Sequence, residues 1–259
     1  MPVAAAPALN DVQLVELLSL LNDVDSVELK LTVDESSQRS AILALGLDPL
    51  DAQVRIVQFF DTPDLELERA GVVVRARRVQ GKGDDAVVKL RPVVPQELPA
   101  RLRQSRDFVV EVDAMPGGFV CSGTLKAVPR APVRETLEAG GSVRKLLSKE
   151  QRSYYEAHAP EGVGLDDLAR LGPIFVLKLK GVPKGFNRKL VAELWQYPDG
   201  TRILELSTKC LPAEAFQVAA EARGFLAEHG IQGGTGQSTK TRKALEFFSR
   251  ELRGERDEA

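Results

Sequence analysis

Two arginines spaced two residues apart, Arg75 and Arg77, give the first sign of chemistry in this chain. They lie in an alternating stretch at 72–79, and strand side chains alternate with a period of two, so both guanidinium groups share one face. The same alternation places Glu28 and Lys30 together in 27–33, Lys89 with Arg91 at the end of 86–90, and Glu111 with Asp113 in 108–114. Lys178 and Lys180 share a face in 174–180. Glu205 joins Ile203, Ser207 and Lys209 in 202–210. Cationic side chains converging from several strands suit a polyanion of phosphate geometry. Carboxylates among them suit a hard divalent cation, Mg2+ or Mn2+, that bridges to phosphate oxygens. The chemistry these residues point to is that of a metal–triphosphate or metal–polyphosphate.

The elements that position them follow from pattern and turn residues. Phe59-Phe60-Asp61-Thr62-Pro63-Asp64 ends one apolar strand (54–60) in a turn, where Asp61 and Thr62 bond nearby backbone and Pro63 fixes the chain direction. The Gly81–Asp85 link suits a hairpin, as does Pro198-Asp199-Gly200 between strands 189–196 and 202–210. Helical spacing predicts helices over 11–21, 34–45, 142–158 and 212–229, with a last one starting at Ser238 or Thr239. Pro92 through Ser105 reads as a surface loop, and 117–141 has no clear period.

Each of the strands pairs a charged face with an apolar one. For one strand alone, a charged face turned to water is the ordinary reading. Across many strands, with helices to cover the apolar faces, the pattern predicts an α+β fold. Its sheet is a closed antiparallel barrel whose charges line a polar lumen. The 259 residues carry a net charge of −2, so bulk charge gives no reason to expect nucleic acid as a partner. Cys121 and Cys210 match no metal or redox spacing and read as free thiols of a reducing cytosol. The apolar 1–9 lacks a basic leader, and no window reaches the length of a membrane span; a cytoplasmic protein is the expectation. His158 and His229 sit near expected helix ends, and Trp195 and Tyr197 read as packing residues. Gly233-Gly234-Thr235-Gly236 lacks the context of a phosphate-binding loop and reads as a flexible link.

These residues resemble the CYTH superfamily, the triphosphate tunnel metalloenzymes. The resemblance rests on Val27-Glu28-Leu29-Lys30, on Phe60-Asp61-Thr62-Pro63-Asp64 with Gly71 through Arg77, and on Val88-Lys89-Leu90-Arg91. It continues through Val110-Glu111-Val112-Asp113 and Ile203-Leu204-Glu205-Leu206 to Ser238-Thr239-Lys240-Thr241-Arg242. It implies an eight-stranded antiparallel tunnel with flanking helices, as a single domain over 23–253, preceded by a helical extension (1–22) and followed by a frayed tail (254–259). By resemblance, Lys30, Arg75, Arg77, Lys89 and Arg91 would grip phosphate, with Lys178 and Lys180 lining the same lumen and Arg188 or Lys189 adding a contact. Glu28, Glu111, Asp113 and Glu205 would hold Mg2+ or Mn2+, one metal neutralising phosphate charge and a second helping to activate water. The chain departs from the family pattern at Ser26 and Ser207, where carboxylates are expected. A hydroxyl is a weaker ligand, so the second metal site is in question. Three functions remain open: a metal-dependent phosphohydrolase acting on inorganic or organic triphosphates, a triphosphate- or polyphosphate-binding protein with little turnover, and, less favoured, an adenylyl cyclase.

Overall fold

A computed structural model describes residues 10–234 and 240–254. The expected helix start at Ser238 or Thr239, the Thr235-Gly236 end of the glycine link, residues 1–9 and the tail from 255 onward lie outside the described residues. Nine strands form one closed barrel: β1 (Ser26–Val33), β2 (Gln53–Asp61), β3 (Val72–Val79), β4 (Asp85–Leu90), β5 (Phe108–Met115), β6 (Gly118–Ala127), β7 (Ala169–Gly181), β8 (Leu190–Gln196) and β9 (Arg202–Cys210). Their order around the barrel is β1-β5-β6-β4-β3-β2-β7-β8-β9, with β9 returning to β1.

The barrel differs from the expected one in two respects. It has nine strands rather than eight, and one of its pairings is parallel, with β1 running beside β5 in the register Ser26↔Glu111 and Glu28↔Asp113. The additional strand is β6, which turns back from β5 at Pro116-Gly117. Its inward positions Val120, Ser122 and Thr124 bear no charge, and only Lys126 at the rim does, so alternation gave it little contrast.

Helices cover the outer, apolar faces. On one side α1 (Asp11–Leu21), α5 (Val133–Glu138) and α6 (Lys149–Glu156) pack Leu17, Leu137 and Tyr155 against Val27, Val74, Val88 and Val112. The expected helix over 142–158 is interrupted: a 3-10 turn at Val143–Lys145 precedes α6, whose N-terminus Ser148 caps through a reciprocal pair with Gln151. Gln151 is fully buried and donates to the carbonyls of Ala86 (2.8 Å) and Leu125 (3.1 Å), fastening α6 to the β4–β6 seam. On the other side α2 (Gln38–Ala44) and α7 (Ala215–Glu228) cover Val33, Leu179, Leu190, Leu204 and Leu206. Two short helices sit in turns: α3 (Glu66–Arg69) and α4 (Ala100–Arg103), the latter within the stretch read as a loop.

The last helix, α8 (Lys240–Leu252), packs differently. Its Ala244, Leu245 and Phe248 meet Val57, Phe59, Ile174, Val176, Trp195 and Ile203. Those six residues share strand faces with Arg55, Lys178, Glu193 and Glu205, and so belong to the inward surface. One end of the barrel is therefore an apolar region stopped by α8. Charged residues occupy the rest.

The Asp61 turn is a structural device. Its buried carboxylate accepts from the backbone N–H groups of Thr62 (2.7 Å), Leu67 (2.9 Å) and Glu68 (3.0 Å), which holds α3 and the left-handed Leu65 in place. The turn ends at Gly71 (φ +73°), whose carbonyl accepts from Arg91 N–H at 2.9 Å. A Cβ there would lie 2.3 Å from the Arg91 carbonyl oxygen. Gly71→Ala should therefore cost about 3 kcal/mol or more, combining a backbone clash with left-handed strain. Thermal denaturation should show this as a Tm drop of roughly 6–12 °C. Gly83→Ala, where a Cβ meets nothing within 4 Å, should stay within about 0.5 kcal/mol of wild type. Equal melting of the two variants would contradict this account of the β3–β4 edge.

Candidate functional site

The strand register brings the inward charges into three linked groups. The first surrounds three carboxylates. Ligand oxygens of Glu28 (β1), Glu111 and Asp113 (β5) all lie within 4.8 Å of one another, which the parallel β1–β5 pairing makes possible. Lys30 Nζ lies 3.1 Å from Glu28 Oε2 and 2.8 Å from Asp113 Oδ1, while Lys89 of β4 reaches Asp113 Oδ2 at 3.2 Å. Lys209 of β9 pairs with Glu111. The two serines complete the group: Ser26 Oγ donates to Glu111 (2.9 Å) and Ser207 Oγ to Glu28 (3.0 Å).

Burial alone would raise the Asp113 carboxyl, yet Lys89 and Lys30 hold it well below the usual carboxylate range. Burial likewise disfavours the Lys30 ammonium, but Asp113 and Glu28 outweigh it and raise its pKa. For Lys89 the balance falls the other way: desolvation dominates and its pKa is lowered despite Asp113. Glu28, opposed by burial but facing Lys30 and Lys209, is lowered.

A second group centres on Glu193 of β8. Lys178 of β7 pairs with its Oε1 at 2.6 Å, and Lys240, the first residue of α8, pairs with its Oε2 and with Glu205 Oε1 at 2.7 Å. Arg55 of β2 stands 3.8 Å from Glu193. Lys240 also lies 5.1 Å above the Trp195 ring, and Tyr197 Oη donates to its carbonyl. Desolvation pushes Glu193 up, but Lys240 and Lys178 bring its pKa well below the ordinary value.

The third group is an arginine wall on β2 and β3. Arg77 forms a bidentate pair with Asp85, through Nε at 2.9 Å and Nη2 at 2.8 Å. Among the described residues Arg75 has no such partner, and its buried Nε makes no hydrogen bond. Burial, reinforced by the neighbouring Arg77, lowers its pKa to about 9. Enclosing an unpaired guanidinium is costly unless an anion meets it.

Most residues singled out in the sequence meet in this lumen: Glu28, Lys30, Arg75, Arg77, Lys89, Glu111, Asp113, Lys178 and Glu205. Glu205 is drawn to Lys240 and lies outside the carboxylate trio. Arg91 is half-buried just past the end of β4, near enough to lower the Lys89 pKa. Lys180 is exposed at the rim, near Arg55, Lys189 and Lys82. Arg188 is not brought to the lumen: its guanidinium is held by Glu221 (2.8 Å) and Glu214 (3.2 Å), the acids of α7 and the turn before it. Sequence reasoning missed Arg55, Asp85, Glu193 and Lys240. Asp85 and Arg55 were legible by parity with Arg77 in the β2–β3–β4 register. Lys240 stood inside a quoted motif without being given a role.

The trio offers only hard oxygen donors, with two hydroxyls beside them, a set that fits Mg2+ or Mn2+. Among the described inward residues cations outnumber carboxylates. Lys30, Arg55, Arg75, Arg77, Lys89, Lys178 and Lys240, with Lys126 and Lys209 at the rim, face Glu28, Asp85, Glu111, Asp113, Glu193 and Glu205. The arrangement can take an anion and a cation together.

No protein-family model and no curated protein sequence matches the chain. Solved structures do. The chain is similar to a candidate adenylate cyclase from Bacillus halodurans, with TM-score 0.58 and 14% identity over 85% of this chain and 97% of that one. It is also similar to HpAC1 from Hippeastrum, a candidate adenylyl cyclase with a dominant triphosphatase activity, with TM-score 0.57 and 17% identity over 85% and 95% of the two chains. At such identities the likeness speaks for the fold. A closed, mostly antiparallel barrel wrapped by helices, matched over 97% and 95% of the two structures, is consistent with the fold expected from the CYTH resemblance.

Proposed function

We propose that the lumen binds a small molecule bearing a triphosphate or polyphosphate, together with one divalent cation, and hydrolyses a phosphoanhydride bond. The observation that carries this reading is Arg75: an enclosed guanidinium whose Nε has no partner among the described residues, beside Arg77 and on the strand paired with that of Lys89, in a lumen with excess positive charge. Phosphate oxygens would supply the missing acceptors. The arginines fix the anion's position, and the lysines offset charge that builds on the departing phosphate oxygen. Glu28, Glu111 and Asp113 would hold the cation, which when bound polarises a phosphoryl oxygen. The Hippeastrum protein's triphosphatase activity supports the same chemistry here by analogy of fold alone.

A second reading, binding with weak or no turnover, is favoured by Ser26 and Ser207. Each donates a hydrogen bond to a carboxylate of the trio, where a further carboxylate would have extended the metal site. Phosphate release from tripolyphosphate with Mg2+ or Mn2+ separates the two. Hydrolysis is the expected result; binding without release under either metal leaves only the second reading. In that case Ser26→Glu combined with Ser207→Glu should confer turnover, because it restores anionic ligands to both places.

Arg75→Met tests the anion site through stability. Replacing a cation whose buried Nε has no acceptor and whose charge Asp85 and Glu193 meet only in part by an apolar side chain should raise the stability of the ligand-free protein by about 1–3 kcal/mol. Tripolyphosphate at a hundredfold excess over Kd should stabilise wild type by about 2.7 kcal/mol, a Tm rise of roughly 5–10 °C. The variant should lose most of that rise. Differential scanning fluorimetry reads both effects, and absence of any tripolyphosphate shift in wild type would remove the anion-binding reading.

A further inference from the structure

In this structure each carboxylate of the trio is paired with a lysine. Lys30 bridges Glu28 and Asp113, Lys89 takes the other oxygen of Asp113, and Lys209 takes Glu111. An ammonium 2.8–3.2 Å from a carboxylate oxygen occupies the place a metal ion would take on that oxygen. Lys89 also lies on β4, the strand paired with the Arg75 wall of β3, and Lys30 stands close enough to Lys89 to lower its pKa. The same two ammonium groups are therefore claimed by the metal's carboxylates and by the anion.

We infer that Lys30 and Lys89 are exchangeable internal counter-ions, so that divalent cation and polyphosphate bind this lumen with positive coupling and the cation alone binds poorly. This rests on the function proposed above and concerns the regulation of the same site. A cation entering the trio displaces both ammonium groups from Glu28 and Asp113, adding unpaired positive charge to a lumen that already holds Arg55, Arg75 and Arg77 until an anion arrives. An anion arriving first draws the lysines away and leaves the three carboxylates repelling one another. Each ligand thus removes the obstacle to the other, and the coupling must be the same in both directions. Lysine suits the exchange, because its charge is compact and its four-carbon stem flexible. The bidentate Arg77–Asp85 pair cannot swing in this way. Ser26 and Ser207 can remain in place throughout, as hydroxyls tolerate either neighbour.

The test uses the full chain without any phosphate and follows Mn2+ binding by the loss of the free-ion electron paramagnetic resonance signal. Lys30→Met should bind Mn2+ about tenfold or more tightly than wild type, within the usual span of coupling energies. Lys89→Met, which frees one oxygen of Asp113, should give a smaller gain in the same direction. It serves as the second variant if Lys30→Met does not fold, with circular dichroism as the check. Arg75→Met removes the same charge from the lumen without touching the trio, and its Mn2+ affinity should stay within about threefold of wild type. Unchanged or weaker Mn2+ binding by both folded lysine variants overturns the inference. So does an equal gain in Arg75→Met, which would show a diffuse field in place of exchange. If neither wild type nor any variant binds Mn2+ or tripolyphosphate, the proposed function itself fails, and that outcome is distinct from the other two.

Discussion

A carboxylate held between two lysines is the interaction on which the lumen depends. Asp113 on β5 meets Lys30 from β1, the neighbouring strand, and Lys89 from β4, which the hydrogen-bond ladder joins to β5 only through β6. Closing a sheet into a barrel gives its inward side chains no route to bulk water along the wall. Every enclosed charge must find its opposite or remain a cost. Glu193 repeats the arrangement between Lys178 and Lys240. An apolar filling of the same volume would often be as stable or more so, since buried ion pairs seldom repay their desolvation in full. The persistence of so many charges in one enclosure is therefore hard to explain by folding alone.

The inward surface is also divided along its length. Toward one end, Val57, Phe59, Ile174, Val176 and Trp195 pack against α8 as an ordinary core would. Farther in, the same strand faces carry Arg55, Lys178 and Glu193. Lys240 sits at this boundary, where its ammonium joins Glu193 and Glu205 while its helix continues into the apolar end. The helix that stops the barrel thus contributes a charge to the lumen it closes, and any anion that competes for Lys240 acts on the seating of α8 as well.

How much of this was legible in the sequence depended on contrast between neighbouring positions. Where charge alternated with aliphatic residues, as at Glu28-Leu29-Lys30 or Glu111-Val112-Asp113, parity placed the side chains on the lumen. Glu193 escaped because β8 is apolar on both faces around it: Ala192 and Leu194 look outward to α2 and α7, while Trp195 looks inward to α8. For the same reason alternation makes the apolar face of β7 the one opposite Lys178 and Lys180, yet on that face Leu179 is buried and Phe175 is 37% exposed, while Ile174 and Val176, on the lysines' own face, are buried. A period of two says which residues share a face; only tertiary packing says which face is in. Strand β6 and the parallel β1–β5 seam had no local signal, since partner choice between distant strands is a property of the closed barrel. The Arg188 contact failed for a related reason: it lies before β8 begins, where strand parity no longer applies and the acids of the α7 region were free to claim it.

The division between arginine and lysine then acquires physical meaning. The guanidinium groups lie on β2 and β3, where Arg77 is pinned by two parallel hydrogen bonds to Asp85 and Arg55 by Gln53. Such groups are charged at any physiological pH and planar, and they hold a fixed geometry toward phosphate. The ammonium groups lie on β1, β4, β7 and α8, with those of β6 and β9 at the rim, each against one or two carboxylates. One side of the lumen is thus a rigid wall whose charge is only partly met by Asp85 and Glu193, while the other is a set of pairs that can open. An anion resting on the wall gains fixed hydrogen-bond donors at once. It gains the lysines only to the extent that something else takes over their carboxylates. The cation's contribution in this barrel is then as much to release lysines as to meet the phosphate itself.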